Sequence, residues 1–182
     1  MSRAHSIVGV SEGRPETDFY RTPVEATKAL LGVESFPGII WEPACGDGAI
    51  SKALIEEGLD VVSSDLFHYG YGVPGVDFLQ SSETVDHIIT NPPFKHAQDF
   101  VQVALNSTTG KVAMLLKLQF LEGRKRKVFF ESSPLKKVYV FSNRLKLTRN
   151  GNDEQYKNGG MMAFAWFVWD HSHDGPPTIE WL

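Results

Sequence analysis

The chain has almost no cysteine, no long apolar run, no internal repeat and no low-complexity tract. Its single cysteine, Cys45, among 182 residues rules out an internal disulfide framework and fits a reducing compartment such as the cytoplasm. No apolar stretch approaches the roughly 20 residues that a membrane span needs. Met1-Ser2-Arg3-Ala4-His5-Ser6 lacks the apolar region of a secretion signal. No Gly-Lys-Ser/Thr follows a glycine-rich loop, which excludes a phosphate-binding loop of that type. What is present is ordinary for a globular chain: 42% apolar and 22% charged residues, and a length that suits one core. Residues 1–17 are polar and expected to be loose. Residues 18–182 are expected to form one domain.

The formal net charge of −4 hides a strong segregation. Residues 1–110 carry 6 Lys/Arg against 15 Asp/Glu, a net −9, whereas residues 111–149 carry 11 against 2, a net +9. The basic block includes Lys117, Arg124, Lys125, Arg126, Lys127, Lys136, Lys137, Arg144, Lys146 and Arg149. It reads either as a polyanion-binding face or as a solvated helix and edge strand.

Apolar periodicity alternates between strand and helix. Strands are predicted over 39–43, 60–64, 85–90, 111–118, 137–142 and 163–169. Helices are predicted over 22–31, 47–57, 95–106 and 122–131. Thr22 reads as the cap of the first helix, with Pro23 at its first position and Glu25 three residues after the cap. Residues 66–76 and roughly 143–160 read as loops. This order implies an α/β layer fold with a mostly parallel sheet and helices on both faces. Two final strands with no helix between them suggest an antiparallel pair at one edge.

Two turns carry the chemistry. Glu42-Pro43-Ala44-Cys45-Gly46-Asp47-Gly48 follows the first long strand, where open α/β sheets bind ligands. Ser51 stands where the third glycine of a dinucleotide fingerprint would be, and Glu42 and Asp47 put negative charge at the turn. That charge favours a cationic ligand over a pyrophosphate. Asp65 ends the next strand, 19 residues after Gly46, where an acid hydrogen-bonds ribose hydroxyls. Asp77-Phe78 pairs a carboxylate with an aromatic ring, suited to an adenine. The second turn, Asn91-Pro92-Pro93-Phe94, closes the strand ending at Thr90. Each proline fixes φ, lacks an N–H and pushes the preceding residue to extended backbone. The Asn91 side-chain oxygen and the Pro92 carbonyl are thus held as two acceptors beside the Phe94 ring, a site shaped for a flat ligand with an NH2 group.

With these turns the chain resembles the class I S-adenosylmethionine-dependent methyltransferases, specifically amino-methyltransferases of the DNA N6-adenine type. The resemblance covers roughly residues 18–120. It includes Asp18-Phe19-Tyr20-Arg21-Thr22-Pro23 before the glycine turn, and Lys117-Leu118-Gln119-Phe120-Leu121 followed by Arg124. It implies a Rossmann-like seven-stranded sheet with one antiparallel edge strand. By resemblance, Tyr20, Thr22, Glu42, Ala44, Gly46, Gly48, Asp65, Asp77, Phe78 and Asn91 would hold S-adenosylmethionine. Asn91, Pro92, Pro93 and Phe94 would form the catalytic corner, with Phe94 stacking on the target base. The partner implied is nucleic acid, DNA before RNA, reached through residues 117–149. A base in RNA, a glutamine amide in a protein, or a non-catalytic binding role remain alternatives. No metal site is expected: His171 and His173 read as part of a flexible polar tail, and Cys45 as a packed thiol.

Overall fold

A computed structural model describes residues 19–149 and 162–182. The expected loose segment 1–17 and most of the 143–160 loop lie outside these residues. Ten strands and four α-helices follow one another in the described chain. The strands are β1 (Tyr20–Arg21), β2 (Ile39–Glu42), β3 (Asp60–Asp65), β4 (Val73–Pro74), β5 (His87–Thr90), β6 (Lys111–Lys117), β7 (Leu135–Val140), β8 (Thr148–Arg149), β9 (Phe164–Asp170) and β10 (Thr178–Trp181). The helices are α1 (Val24–Leu31), α2 (Ala49–Glu56), α3 (Ala97–Asn106) and α4 (Arg124–Glu131). Among the described residues, no helix is long and apolar enough to cross a membrane.

Eight strands form one sheet in the order β10-β7-β9-β6-β5-β2-β3-β4. β2 runs parallel to β3 and β5, and β5 runs parallel to β6. β9 is antiparallel to both β6 and β7, so β7 points the same way as β6. The carboxyl ends of β2, β3, β5, β6 and β7 therefore share one rim. This is the mostly parallel α/β sheet expected, with two differences. It has eight strands rather than seven, and its antiparallel strand β9 lies inside rather than at the edge. The eighth strand comes from the last residues, Thr178–Trp181, which add to β7 in parallel register, and β9 lies inside because it pairs with both β6 and β7. The segment with His171 and His173 is consequently an ordered turn, not a flexible tail. His171 donates its N–H to the Gly110 carbonyl, and Ser172 donates to the Asp170 carboxylate.

The helices cover both faces. Leu30 of α1 and Ile50 and Leu54 of α2 pack with Ile40, Ile89, Leu115, Trp166 and Val168. Phe100, Val101 and Ala104 of α3 pack with Ile88, Val112, Met114 and Phe167, with Phe129 and Phe130 of α4 alongside. β9 is buried over its whole length, which explains its unbroken apolar sequence. At the amino-terminal rim, Glu34 accepts from Lys111 at 2.5 Å and from the Tyr139 hydroxyl at 2.8 Å. Lys136 bridges Glu34 and Asp170 there.

Leu115 sits in the central strand with no exposure. Leu115→Ala should cost about 2–5 kcal/mol of unfolding free energy in a denaturant titration. A loss below about 1 kcal/mol would contradict the placement of β6 in the core.

Candidate functional site

The turn after β2 is pinned from two sides. Glu42 reaches across it to the first turn of α2, accepting from the Ser51 N–H at 2.8 Å and from the Ser51 hydroxyl. The cap that α2 lacks at Gly48 is thus supplied by the end of the preceding strand. Asp65 holds the other side. Its Oδ2 accepts from the Gly46 N–H at 2.9 Å, and its Oδ1 accepts from the Phe67 N–H at 2.8 Å. Gly46 and Gly48 adopt φ of +53° and +80°, a conformation side chains rarely take. A Cβ on Gly46 would lie 2.1 Å from the Phe19 ring, and one on Gly48 would lie 2.3 Å from the Tyr71 ring. The glycines therefore make room for this chain's own aromatic rings.

Burial pushes the Glu42 carboxyl up to about 8. Its bonds from Ser51 oppose that rise, and Asp65 and Asp47 add to it. Burial also raises the Asp65 carboxyl, against the backbone N–H groups it accepts. The Cys45 thiol is pushed up to about 12 by burial, with nearby Glu42 and Asp65 adding to the rise. That makes it a packed thiol rather than a thiolate nucleophile.

Beside this turn lies a cavity of about 410 Å³. Tyr20, Thr22, Glu42, Ala44, Asp65, Asp77, Phe78 and Asn91 all line it, as does Pro93. Phe19, Arg21, Tyr69, Lys95, His96 and Phe100 also line it, and the motifs in the sequence assign none of them a ligand contact. Arg21 bridges Asp47 at 3.1 Å, and Phe19 stacks on Tyr69 at 4.7 Å. These contacts lay the first described strand across the glycine turn. Asp77 accepts from the Leu79 N–H at 3.1 Å. Phe78 packs edge-on against Trp41 at 5.1 Å and lies 5.0 Å from Phe100.

Asn91 leaves the end of β5 between this turn and β6. Its Nδ2 donates to the Tyr20 carbonyl at 2.9 Å and to the Thr22 hydroxyl oxygen at 3.1 Å. Its Oδ1 is shielded from water and has no donor among the described residues, and the same is true of Asp47 Oδ1. Thr22 is not the helix cap that its sequence suggested: Pro23 holds that position, with no side-chain cap. Pro92 is buried. Phe94 does not line the cavity. Its ring lies 5.4 Å from Tyr20 and 5.7 Å from Phe164, with the Lys117 ammonium 4.4 Å over it.

The basic block divides in two. Lys111 and Lys136 pair with acids at the amino-terminal rim, and Lys137 bridges Glu180 at 2.6 Å. Lys95, Lys117, Arg124 and Lys125 instead follow the carboxyl ends of β5 and β6. Arg124, Lys125 and Arg126 open α4, which has no acidic residue in its first turn, no side-chain cap and no buried residue. Cations there oppose the helix dipole, at about 0.3–1 kcal/mol each. Arg126 is held by the Gln119 and Glu122 carbonyls and lies over the Phe120 ring at 4.6 Å. Arg124 and Lys125 are exposed, and neither has a carboxylate partner among the described residues.

No family model matches the sequence, and no curated protein is similar to it. Solved structures share its fold. A modification subunit of a candidate type I restriction enzyme from Vibrio vulnificus superposes with a TM-score of 0.63 at 14% identity, over 87% of this chain and 45% of that one. A candidate RNA methyltransferase from Pyrococcus horikoshii gives 0.63 at 16% identity, over 83% and 86%. A candidate class I S-adenosylmethionine-dependent methyltransferase from Listeria monocytogenes gives 0.63 at 12%, over 95% and 68%. The fold is Rossmann-like. This chain spans less than half of the restriction subunit's length.

The raised Glu42 carboxyl has a measurable consequence. Between its ordinary 4.5 and about 8, the folded protein keeps a proton that the unfolded chain releases. Stability should therefore fall as pH rises through this window, by up to about 1.4 kcal/mol per pH unit. Glu42→Gln removes that slope, so its melting temperature should climb relative to the parent from pH 5 to pH 8. Parallel profiles for the two proteins would remove the assignment.

Proposed function

We propose that this protein is an S-adenosylmethionine-dependent methyltransferase acting on an exocyclic amino nitrogen, foremost N6 of adenine in DNA. The observation that carries the reading is Asn91. Both its N–H groups are taken, and its oxygen is a buried acceptor without a donor. A buried acceptor left unpaired costs about 1–3 kcal/mol, and an amino group brought by a substrate satisfies it.

The cavity beside Asn91 fits the cofactor by its donor set. Asp47, Asp65, Asp77 and Asn91 line it, and Asp47 Oδ1 lacks a donor. Arg21 and Lys95 also line it, with Arg21 bridging Asp47, and the surplus of acids suits a ligand with positive charge, hydroxyls and an amino group. Bound there, S-adenosylmethionine supplies a methyl carbon on a cationic sulfonium. Asp65, already fixing the Gly46 N–H, would accept from ribose hydroxyls with its remaining lone pairs. Asp77 and Phe78 would take the adenine end, Tyr20, Thr22, Glu42 and Ala44 would complete the lining, and Gly46 and Gly48 would shape the turn beside it.

The chain's contribution to chemistry is the corner at 91–94. An adenine amino group is a poor nucleophile because its lone pair is delocalised into the ring. Accepting its two N–H groups on Asn91 Oδ1 and the Pro92 carbonyl draws that lone pair back onto nitrogen and stabilises the charge that develops. No strong base is needed beforehand; the proton leaves afterwards. Pro93 keeps the corner rigid, and Phe94 walls the target ring once Tyr20 moves off it. A duplex base would have to leave its stack, at a cost of a few kcal/mol.

Charge supports the nucleic-acid substrate. The acids line the ends of β2 and β3, Lys95 shares the cavity wall with Asn91, and Lys117, Arg124 and Lys125 follow β6, on the far side of Asn91. Cations at a helix start, where the dipole disfavours them, fit a surface for phosphates. A base in RNA is the second reading, favoured by the 86% of the Pyrococcus protein's length that this chain covers.

Labelled cofactor incubated with DNA, RNA and protein, followed by nucleoside mass spectrometry, tests the proposal, with N6-methyladenine in DNA expected. Label on protein alone would overturn it. Asn91→Ala should lower kcat at least about 100-fold with the cofactor Kd within about threefold, while Asp65→Ala should raise that Kd about tenfold or more by calorimetry. Arg124→Glu with Lys125→Glu should weaken DNA binding and reduce the slope of log K against log salt by about 2. An unchanged slope would place the phosphates elsewhere.

A further inference from the structure

We infer that the segment Tyr20–Thr22 fixes which end of the Asn91 amide meets the substrate, the Tyr20 carbonyl setting the direction and Thr22, as positioning residue, holding the amide in it through the second hydrogen bond. The inference rests on the methyltransferase reading for its consequence, and on hydrogen bonding alone for its geometry. The two ends of an amide have nearly the same shape, and turning it by half a turn exchanges an acceptor for two donors. Only its partners decide between the two. A carbonyl oxygen only accepts, so the Tyr20 carbonyl at 2.9 Å requires Nδ2 on that side. The Thr22 hydroxyl oxygen takes the second N–H at 3.1 Å. In the turned amide, Oδ1 would face the Tyr20 carbonyl, acceptor against acceptor.

Among the described residues, no backbone N–H of α1 claims the Thr22 hydroxyl as the sequence suggested. The first helical turn of α1 gets no side-chain cap, and Pro23 occupies the cap position. Thr22 is nevertheless only 4% exposed. The segment is itself held in place: β1 pairs with β8 through Tyr20↔Arg149 and Arg21↔Thr148, and Arg21 bridges Asp47 in the glycine turn. A residue 69 positions upstream thereby makes position 91 an acceptor. The consequence is specificity. An amide fixed with its oxygen free receives planar substrates that carry an amino group and repels those that present a ring carbonyl at the same point.

Thr22→Val keeps the branched shape and deletes the hydroxyl; Thr22→Ser restores it. The first readout is hydrogen exchange of the Asn91 side-chain amide protons by NMR in the protein without cofactor. Slow exchange is expected in the wild type, about tenfold or more faster exchange in Thr22→Val, and recovery in Thr22→Ser. The second is kinetic: Thr22→Val should lose about 10–100-fold in kcat, a loss that saturating cofactor does not restore, and Thr22→Ser should stay near wild type. Fast exchange in the wild type overturns the inference without any variant having to fold. So does a Thr22→Val protein with unchanged exchange, or one whose whole loss lies in cofactor Kd, which would make Thr22 a cofactor ligand only. A wild type that shows slow exchange but neither binds cofactor nor transfers methyl would sink the functional reading while leaving the amide geometry standing.

Discussion

Every strand of the eight-stranded sheet except β9 points the same way, and the sheet order puts β5 between β2 and β6. Every group with a proposed role depends on that constraint. Strand ends in a parallel sheet expose their last carbonyls and the turns after them on one rim. Glu42 and Asp65 therefore arrive beside each other, Asn91 arrives next to them, and Lys117 arrives on its far side. The opposite rim carries a different chemistry: Glu34, Lys111, Lys136, Asp170 and Tyr139 satisfy one another there. The charges of that rim are paired with one another, whereas the carboxyl rim keeps the Asp47 and Asn91 acceptors without donors among the described residues.

The acids at the glycine turn serve the protein before they serve any ligand. Glu42 caps a helix and Asp65 holds a loop amide, so both are buried at a cost that their hydrogen bonds only partly offset. Crowding of Glu42, Asp47 and Asp65 raises the proton affinity of Glu42. A cationic ligand in the adjacent cavity acts the other way, favouring the ionised forms. Ligand binding and proton release at this turn are therefore linked, and a positive ligand should be held more tightly as pH rises toward 8.

Sequence reading placed the sheet, the helices and both turns because their signals are local. A glycine turn between a strand and a helix, an acid at a strand end and two prolines after an asparagine each constrain the backbone where they occur. What it misjudged depended on distant partners. Thr22 before Pro23, with Glu25 following, has the pattern of a capped helix, yet its hydroxyl meets a side chain on another strand. Phe94 looked like an open stacking platform, but Tyr20, Phe164 and Lys117 surround it in this state. The run after Asp170 is polar and rich in proline, so strand β10 has no periodic signal; it exists because β7 offers an unpaired edge. The basic block is contiguous in sequence but divided in space, since its lysines at the amino ends of β6 and β7 are spent on Glu34 and Asp170.

The arrangement around Asn91 also explains why the first described strand belongs to the site rather than decorating it. A rigid proline corner fixes where the amide stands but not which way it faces, because prolines constrain only backbone. Direction has to come from hydrogen-bond partners, and the partners here are a carbonyl and a hydroxyl from the chain just before α1. That same chain covers the glycine turn through Phe19 and Arg21. A single short segment thus touches the glycine turn with one pair of residues and the Asn91 amide with the other. Any shift of the segment when the cavity fills is transmitted directly to the Asn91 acceptor.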